Sequence, residues 1–155
     1  MRYLNKIVFI NSAAIRYSEV QLDGNIHLIG TQGVGKSTIL RAILFFYNAD
    51  TQRLGIPVEK KSYQDYYFPY ADSSIIYEVA REDGWFTVLS YKTMNRICYR
   101  FIASPYRPDL FIDEEGAPYP SDRIRSVLDK NGIKYSGAIS TLSLIHISAP
   151  TRLDV

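Results

Sequence analysis

Residues 30–38 read Gly30-Thr31-Gln32-Gly33-Val34-Gly35-Lys36-Ser37-Thr38. They fit the phosphate-binding loop pattern G-x-x-x-x-G-K-S/T at every fixed position, namely Gly30, Gly35, Lys36 and Ser37. An apolar run, Ile26-His27-Leu28-Ile29, enters the stretch, and a helix-like run, Thr38 to Tyr47, leaves it. Strand, loop and helix in that order are the context in which the pattern carries chemistry. Glycines let the backbone curl so that successive N–H groups point at a β-phosphate. The helix N-terminus adds its partial positive charge. Lys36 is the candidate catalytic residue, reaching the β- and γ-phosphates, and the Ser37 hydroxyl is the candidate Mg²⁺ ligand. Thr31, Gln32, Gly33, Val34 and Thr38 complete the cofactor-binding stretch.

The other end of the chain reads differently. Residues 142–148, Leu-Ser-Leu-Ile-His-Ile-Ser, are the translation of CTG TCT CTT ATA CAC ATC T plus two further bases, the transposase mosaic end used in sequencing libraries. Ala149-Pro150-Thr151-Arg152 resembles the adaptor that follows it, with Ala149 in place of Glu. The sequence therefore divides into residues 1–141, expected to be native, and residues 142–155, set aside from fold reasoning as adaptor-derived. The natural protein is expected to continue past Thr141.

With 155 residues, the chain is long enough for one domain or one lobe of a larger one. A net charge of +2 argues neither for nor against nucleic acid as a partner. The single cysteine, Cys98, rules out an internal disulfide framework and suits a reducing compartment. No apolar run approaches the length of a membrane span, and the first residues lack a secretory cleavage site, so a cytoplasmic protein is expected. The 13 tyrosines are read as strand formers and core packers.

Along the chain, Leu4 to Ile10 and Ile15 to Leu22 read as strands, with Asp23-Gly24-Asn25 as a hairpin turn before the loop motif. The helix after the motif is apolar on most of its surface, which predicts a helix sandwiched between layers. Asp50 to Gln64 reads as a loop. Strands are expected over Ser74 to Ala80, Trp85 to Tyr91, Arg96 to Ala103 and, briefly, Leu110 to Ile112. A helix follows, with Ser121 as its N-cap and Gly132 as its C-terminal stop. An ordinary doubly wound phosphate-loop enzyme alternates strand and helix after the motif. This chain places an antiparallel meander there.

In these features the chain resembles the N-terminal half-head of SMC-type ATPases, which include MukB and Wadjet-type subunits and, more distantly, RecF-like heads. The loop Gly30–Thr38, the helix Ile39-Leu40-Arg41-Ala42-Ile43-Leu44-Phe45-Phe46-Tyr47, the segment Tyr66 to Val79 and the block Leu110 to Gly132 carry the likeness. The resemblance implies an α/β fold: a phosphate-loop NTPase, the lobe of an ABC-type head with an added antiparallel β-meander. It implies ATP and Mg²⁺ as cofactors and DNA as a partner. It also implies a long coiled coil, a second head in a homodimer, accessory subunits and hydrolysis only in the complete dimeric head. By the same likeness, Arg53 would sense ATP or DNA, and Arg16 and Tyr17 would lie on the adenine side. Gln32 and Val34 stand where the family commonly has Asn and Ser. The family's Q-loop glutamine would follow Ser140, and its signature motif, Walker B acid and catalytic glutamate would lie beyond the coiled coil.

A competing reading takes Leu110-Phe111-Ile112-Asp113-Glu114 as a Walker B strand. Asp113 would then hold Mg²⁺ through water and Glu114 would polarise the attacking water, giving a compact AAA or helicase-type ATPase. Only three apolar residues precede the acids, whereas buried parallel strands show longer runs. The prolines that follow favour a solvated hairpin turn over Asp113 to Gly116. No guanine-reading N-K-x-D motif is present, and the basic residues Lys60, Lys61, Arg96, Arg100 and Arg107 form no single stripe.

Overall fold

The computed structural model describes residues 3–22, 36–46, 63–94 and 96–139. Among the described residues five strands form one sheet in the order β2-β1-β3-β4-β5. They are β1 (Tyr3–Ser12), β2 (Ile15–Gln21), β3 (Ser74–Arg81), β4 (Gly84–Thr93) and β5 (Arg96–Ile102). Every neighbouring pair is antiparallel. Among the described residues three α-helices accompany them: α1 (Lys36–Phe46), α2 (Tyr63–Tyr67) and α3 (Ser121–Lys130). The α/β expectation is thereby overturned, because the described sheet contains no parallel pair. The reason is local. β1 joins β2, and β3 joins β4, through two-residue connections that turn the chain straight back on itself, which only antiparallel pairing allows. Between β4 and β5 the link is equally short.

The sheet is a middle layer. On one side Ile7, Phe9, Ile75, Tyr77, Val79 and Val88 pack with Ile39, Ala42, Ile43 and Phe46 of α1 and with Tyr67 and Phe68. On the other side Val8, Ile10, Ile76, Leu89 and Ile102 pack with Tyr106, Leu110, Phe111, and Ile124 and Leu128 of α3. Alternation along β3 and along β1 from Lys6 onward sends odd apolar residues to the first layer and even ones to the second, whereas Leu4, ahead of a bulge in β1, packs in the first. β3 is the central strand and is buried on both faces. Burying each of its large apolar side chains contributes about 1.5–3 kcal/mol.

A bulge breaks the β1–β3 register between Leu4 and Lys6. The extra residue, Asn5, is buried and donates its side-chain N–H to Glu78 Oε1 at 2.8 Å. Glu78 is 5% exposed, and its Oε2 accepts the Tyr106 backbone N–H at 2.7 Å. The re-aimed bulge residue therefore supplies half of what a buried carboxylate needs. The same carboxylate ties the segment after β5 to the central strand.

Three further expectations change. Among its described side chains α1 buries the stripe Ile39, Ala42, Ile43 and Phe46 and leaves Leu40 42% exposed, so it lies on one face of the sheet and is not apolar all round. Leu110 to Ile112 is not a strand: Pro108–Leu110 is a 3₁₀ helix, and Ile112 makes one bridge to Pro118. Pro108, with fixed φ and no N–H, starts that turn. Ser121 is the first residue of α3, and the extended Pro120 (φ −66, ψ 161) occupies the cap. Gly132 does end α3, with φ +69. Its N–H bonds Asp129 O at 3.1 Å and the Ile133 N–H bonds Leu128 O at 3.0 Å, a Schellman closure. The expected strand Ile26 to Ile29, the turn at Asp23 to Asn25 and nearly all of the loop from Asp50 lie outside the described residues.

Candidate functional site

Of the phosphate-loop stretch, Gly30, Thr31, Gln32, Gly33, Val34 and Gly35 lie outside the described residues, as does Arg53. Lys36 opens helix α1. Ser37 is exposed in the first turn and Thr38 is half-buried beside it. That turn holds no acidic residue, so nothing on the helix itself offsets the positive end of its dipole. An exposed hydroxyl one residue into such a helix is a hard oxygen donor of the kind Mg²⁺ takes. In this respect Ser37 fits the metal. Ser37 would help hold such a cation, whose charge would offset that of a bound phosphate. Among the described residues no cluster of three or more His, Cys, Asp or Glu could hold a metal by itself.

The helix is pinned from below by tyrosines that sequence reasoning treated as packing. Tyr67 Oη donates to Thr38 O at 2.7 Å, and Tyr77 Oη donates to Ala42 O at 3.0 Å. The Tyr66 hydroxyl lies 3.3 Å from Thr38 Oγ1. The Tyr77 ring also meets Phe46, with centroids 4.4 Å apart. Burial, with Tyr66 as a lesser contributor, pushes the Tyr67 phenol well above its ordinary value, so it remains a donor. Two of these bonds reach Thr38, inside the motif, and fix the height and rotation of its first turn. The signal in the sequence was the aromatic cluster Tyr63 to Tyr70, whose partner 29 residues upstream had no local trace.

The residues expected on the adenine side do not converge. Arg16 lines an open cleft of about 720 Å³ with Asn11, Ala13, Ala14, Ile15, Tyr70, Ala71 and Asp72. Tyr17 takes the opposite face of β2 by strand alternation. Its hydroxyl donates to Glu19 Oε2 at 2.7 Å and lies 2.8 Å from Tyr106 Oη. Burial, with the Glu19 carboxylate assisting, pushes Tyr17 up to about 12.

Asp113 and Glu114 are placed clearly. Asp113 Oδ1 accepts the N–H of Glu115 and of Ala117, each at 2.9 Å. Asp113 N–H bonds Ala117 O at 2.9 Å and Gly116 takes φ +84. The carboxylate is the keystone of a tight turn. It does not sit at the end of a sheet strand, where a Walker B acid would have to be.

A family described as "Protein of unknown function (DUF3584)" matches residues 11–143, which include the whole phosphate-loop stretch, α1 and all of the sheet from β2 onward. The chain belongs to this family. No curated protein and no solved structure matches it. Among the described residues no helix is long and apolar enough to cross a membrane.

Proposed function

We propose that the chain is a nucleotide-binding N-terminal part of an SMC-like ATPase, of the kind that includes MukB and RecF-like proteins. The observation that carries this reading is the meeting of motif and helix. Gly30 to Thr38 fits the phosphate-loop pattern, and α1 starts at its lysine with an acid-free first turn. Backbone N–H groups of the loop would cradle the phosphates, Lys36 would neutralise the terminal ones, and Ser37 would ligate Mg²⁺. ATP is the expected nucleotide. Tyr66, Tyr67 and Tyr77 act by holding α1 on the sheet, which positions that first turn.

Hydrolysis belongs, in this reading, to a complete dimeric head that acts on DNA, with the acid and catalytic glutamate supplied from elsewhere in the protein. The turn role of Asp113 favours this over the compact-enzyme alternative. The test is calorimetric titration of the chain with Mg·ATP. Lys36→Ala should weaken binding by at least about tenfold, the loss of one charge-assisted phosphate bond. Equal affinity in the variant, with its fold intact by circular dichroism, would remove the assignment.

A further inference from the structure

A second cationic feature lies on the face of the sheet away from α1. A cleft of about 560 Å³ opens between the strand ends at Ser73–Ser74 and Tyr91–Met94 and the first turn of α3. Arg100, Arg125 and Lys92 line it with one carboxylate, Asp72, and Lys92 Nζ pairs with Asp65 Oδ1 of α2 at 3.9 Å. Arg100 is the unusual member, being only 5% exposed. Its Nη1 donates to Ser136 O at 2.7 Å and its Nη2 reaches Tyr91 Oη at 3.4 Å. The Nε–H has no hydrogen-bond partner among the described residues. Nor does any ion pair among the described residues include Arg100. The ring of Tyr135 covers the guanidinium at 5.4 Å. A buried guanidinium without a counter-charge is costly, and an unpaired buried N–H adds to that cost.

The helix beside it reinforces the same sign. α3 is ten residues long, and its cap residue Pro120 makes no side-chain hydrogen bond to the first turn. Ser121 and Ile124 of that turn line the cleft, whereas Asp122, the acidic residue of the same turn, does not. The lining thus joins a helix N-terminus, an incompletely paired buried arginine and a second arginine, Arg125. Leu89, Tyr119 and Ile124 add apolar wall.

We propose that this cleft is an anion site for a phosphate group, distinct from the Gly30–Thr38 loop. Two guanidinium groups and the amides of a helix N-terminus suit the several oxygens of a phosphate better than the two of a carboxylate. The cleft's size leaves room for the group that carries the phosphate, with the apolar wall to receive it. Because α1 packs on the opposite face, occupancy here does not require its first turn.

The test is a titration of the ¹⁵N-labelled chain with inorganic phosphate at constant ionic strength, followed through the arginine Nε–Hε signals. Arg100→Lys assigns the Arg100 signal by its loss; if that variant does not fold, cross-relaxation to Tyr91 and Tyr135 assigns it in the unaltered chain. Saturable movement of the Arg100 Hε signal together with the Ser121 to Ile124 amides is expected, with Arg125→Ala severalfold weaker and acetate about tenfold weaker. No movement at tens of millimolar phosphate would overturn the site. Acetate binding as tightly as phosphate would overturn the choice of ligand. Movement confined to residues 30–38 would also overturn it while leaving the nucleotide reading standing.

Discussion

At the scale of single residues, the informative side chains are phenols. Tyr67 and Tyr77 each donate to a carbonyl of α1, at 2.7 Å and 3.0 Å. A helix carbonyl that accepts a second bond loses little intrahelical strength and gains a tether to the layer beneath. Tyr67→Phe keeps the ring and removes the tether. The expected cost is about 1 kcal/mol in urea unfolding. The same variant should weaken Mg·ATP binding, since the lost bond ends on Thr38, and calorimetry checks that separately. Stability equal to that of the parent chain would mean that the Thr38 carbonyl is served by its helix alone. The tyrosine count was plain in the sequence, but their hydroxyl partners lie 29 and 35 residues away and no local pattern encodes them.

At the scale of elements, α3 shows one end that sequence rules predict and one that they do not. Its C-terminus follows from Gly132, which takes φ +69 and lets two N–H groups close on Leu128 and Asp129. Ile133 then packs into the layer that holds Leu128. Gly132→Ala forces a Cβ into the left-handed region and should cost about 1–2 kcal/mol, read as a lower thermal midpoint. No atom lies within 4 Å of the added Cβ, so an effect here would be conformational and not steric. The N-terminus differs because Ser121 is a good capping residue but Pro120 already holds the extended cap conformation. The same competition decided residues 108–112, where three apolar residues suggested a strand and the preceding Pro108 produced a 3₁₀ turn. Asp113 then became a turn keystone, a role that its acidic, proline-flanked context did announce.

At the scale of the whole molecule, the sheet forms a shared middle layer, and several phenols are buried against it. Tyr67, Tyr99 and Tyr106 are all raised well above the ordinary value, burial being the first cause in each. Below about pH 10 these groups are protonated in both folded and unfolded chains and leave stability unchanged. Above it the unfolded chain ionises while the folded chain keeps its protons. Stability should therefore fall by about 1.4 kcal/mol per pH unit for each such phenol, until the folded form titrates. Urea unfolding at about pH 9 and about pH 11, with phenolate absorbance in parallel, checks this; equal stability at both would contradict the burial of these hydroxyls. The sequence by itself determined the loop motif, all five described strands to within two residues of their ends, the helix after the motif and the stop at Gly132, because periodicity, glycine and proline act over a few residues. It also carried the chain to the family that matches residues 11–143. Only the tertiary structure decided that β1 sits between β2 and β3 and that α1 and α3 cover opposite faces. It alone brought Asn5 to Glu78, Tyr67 to Thr38 and Arg100 to the cleft beside α3. Such pairings join residues tens of positions apart, and their energy comes from burial and hydrogen bonding that exist only once the layers close.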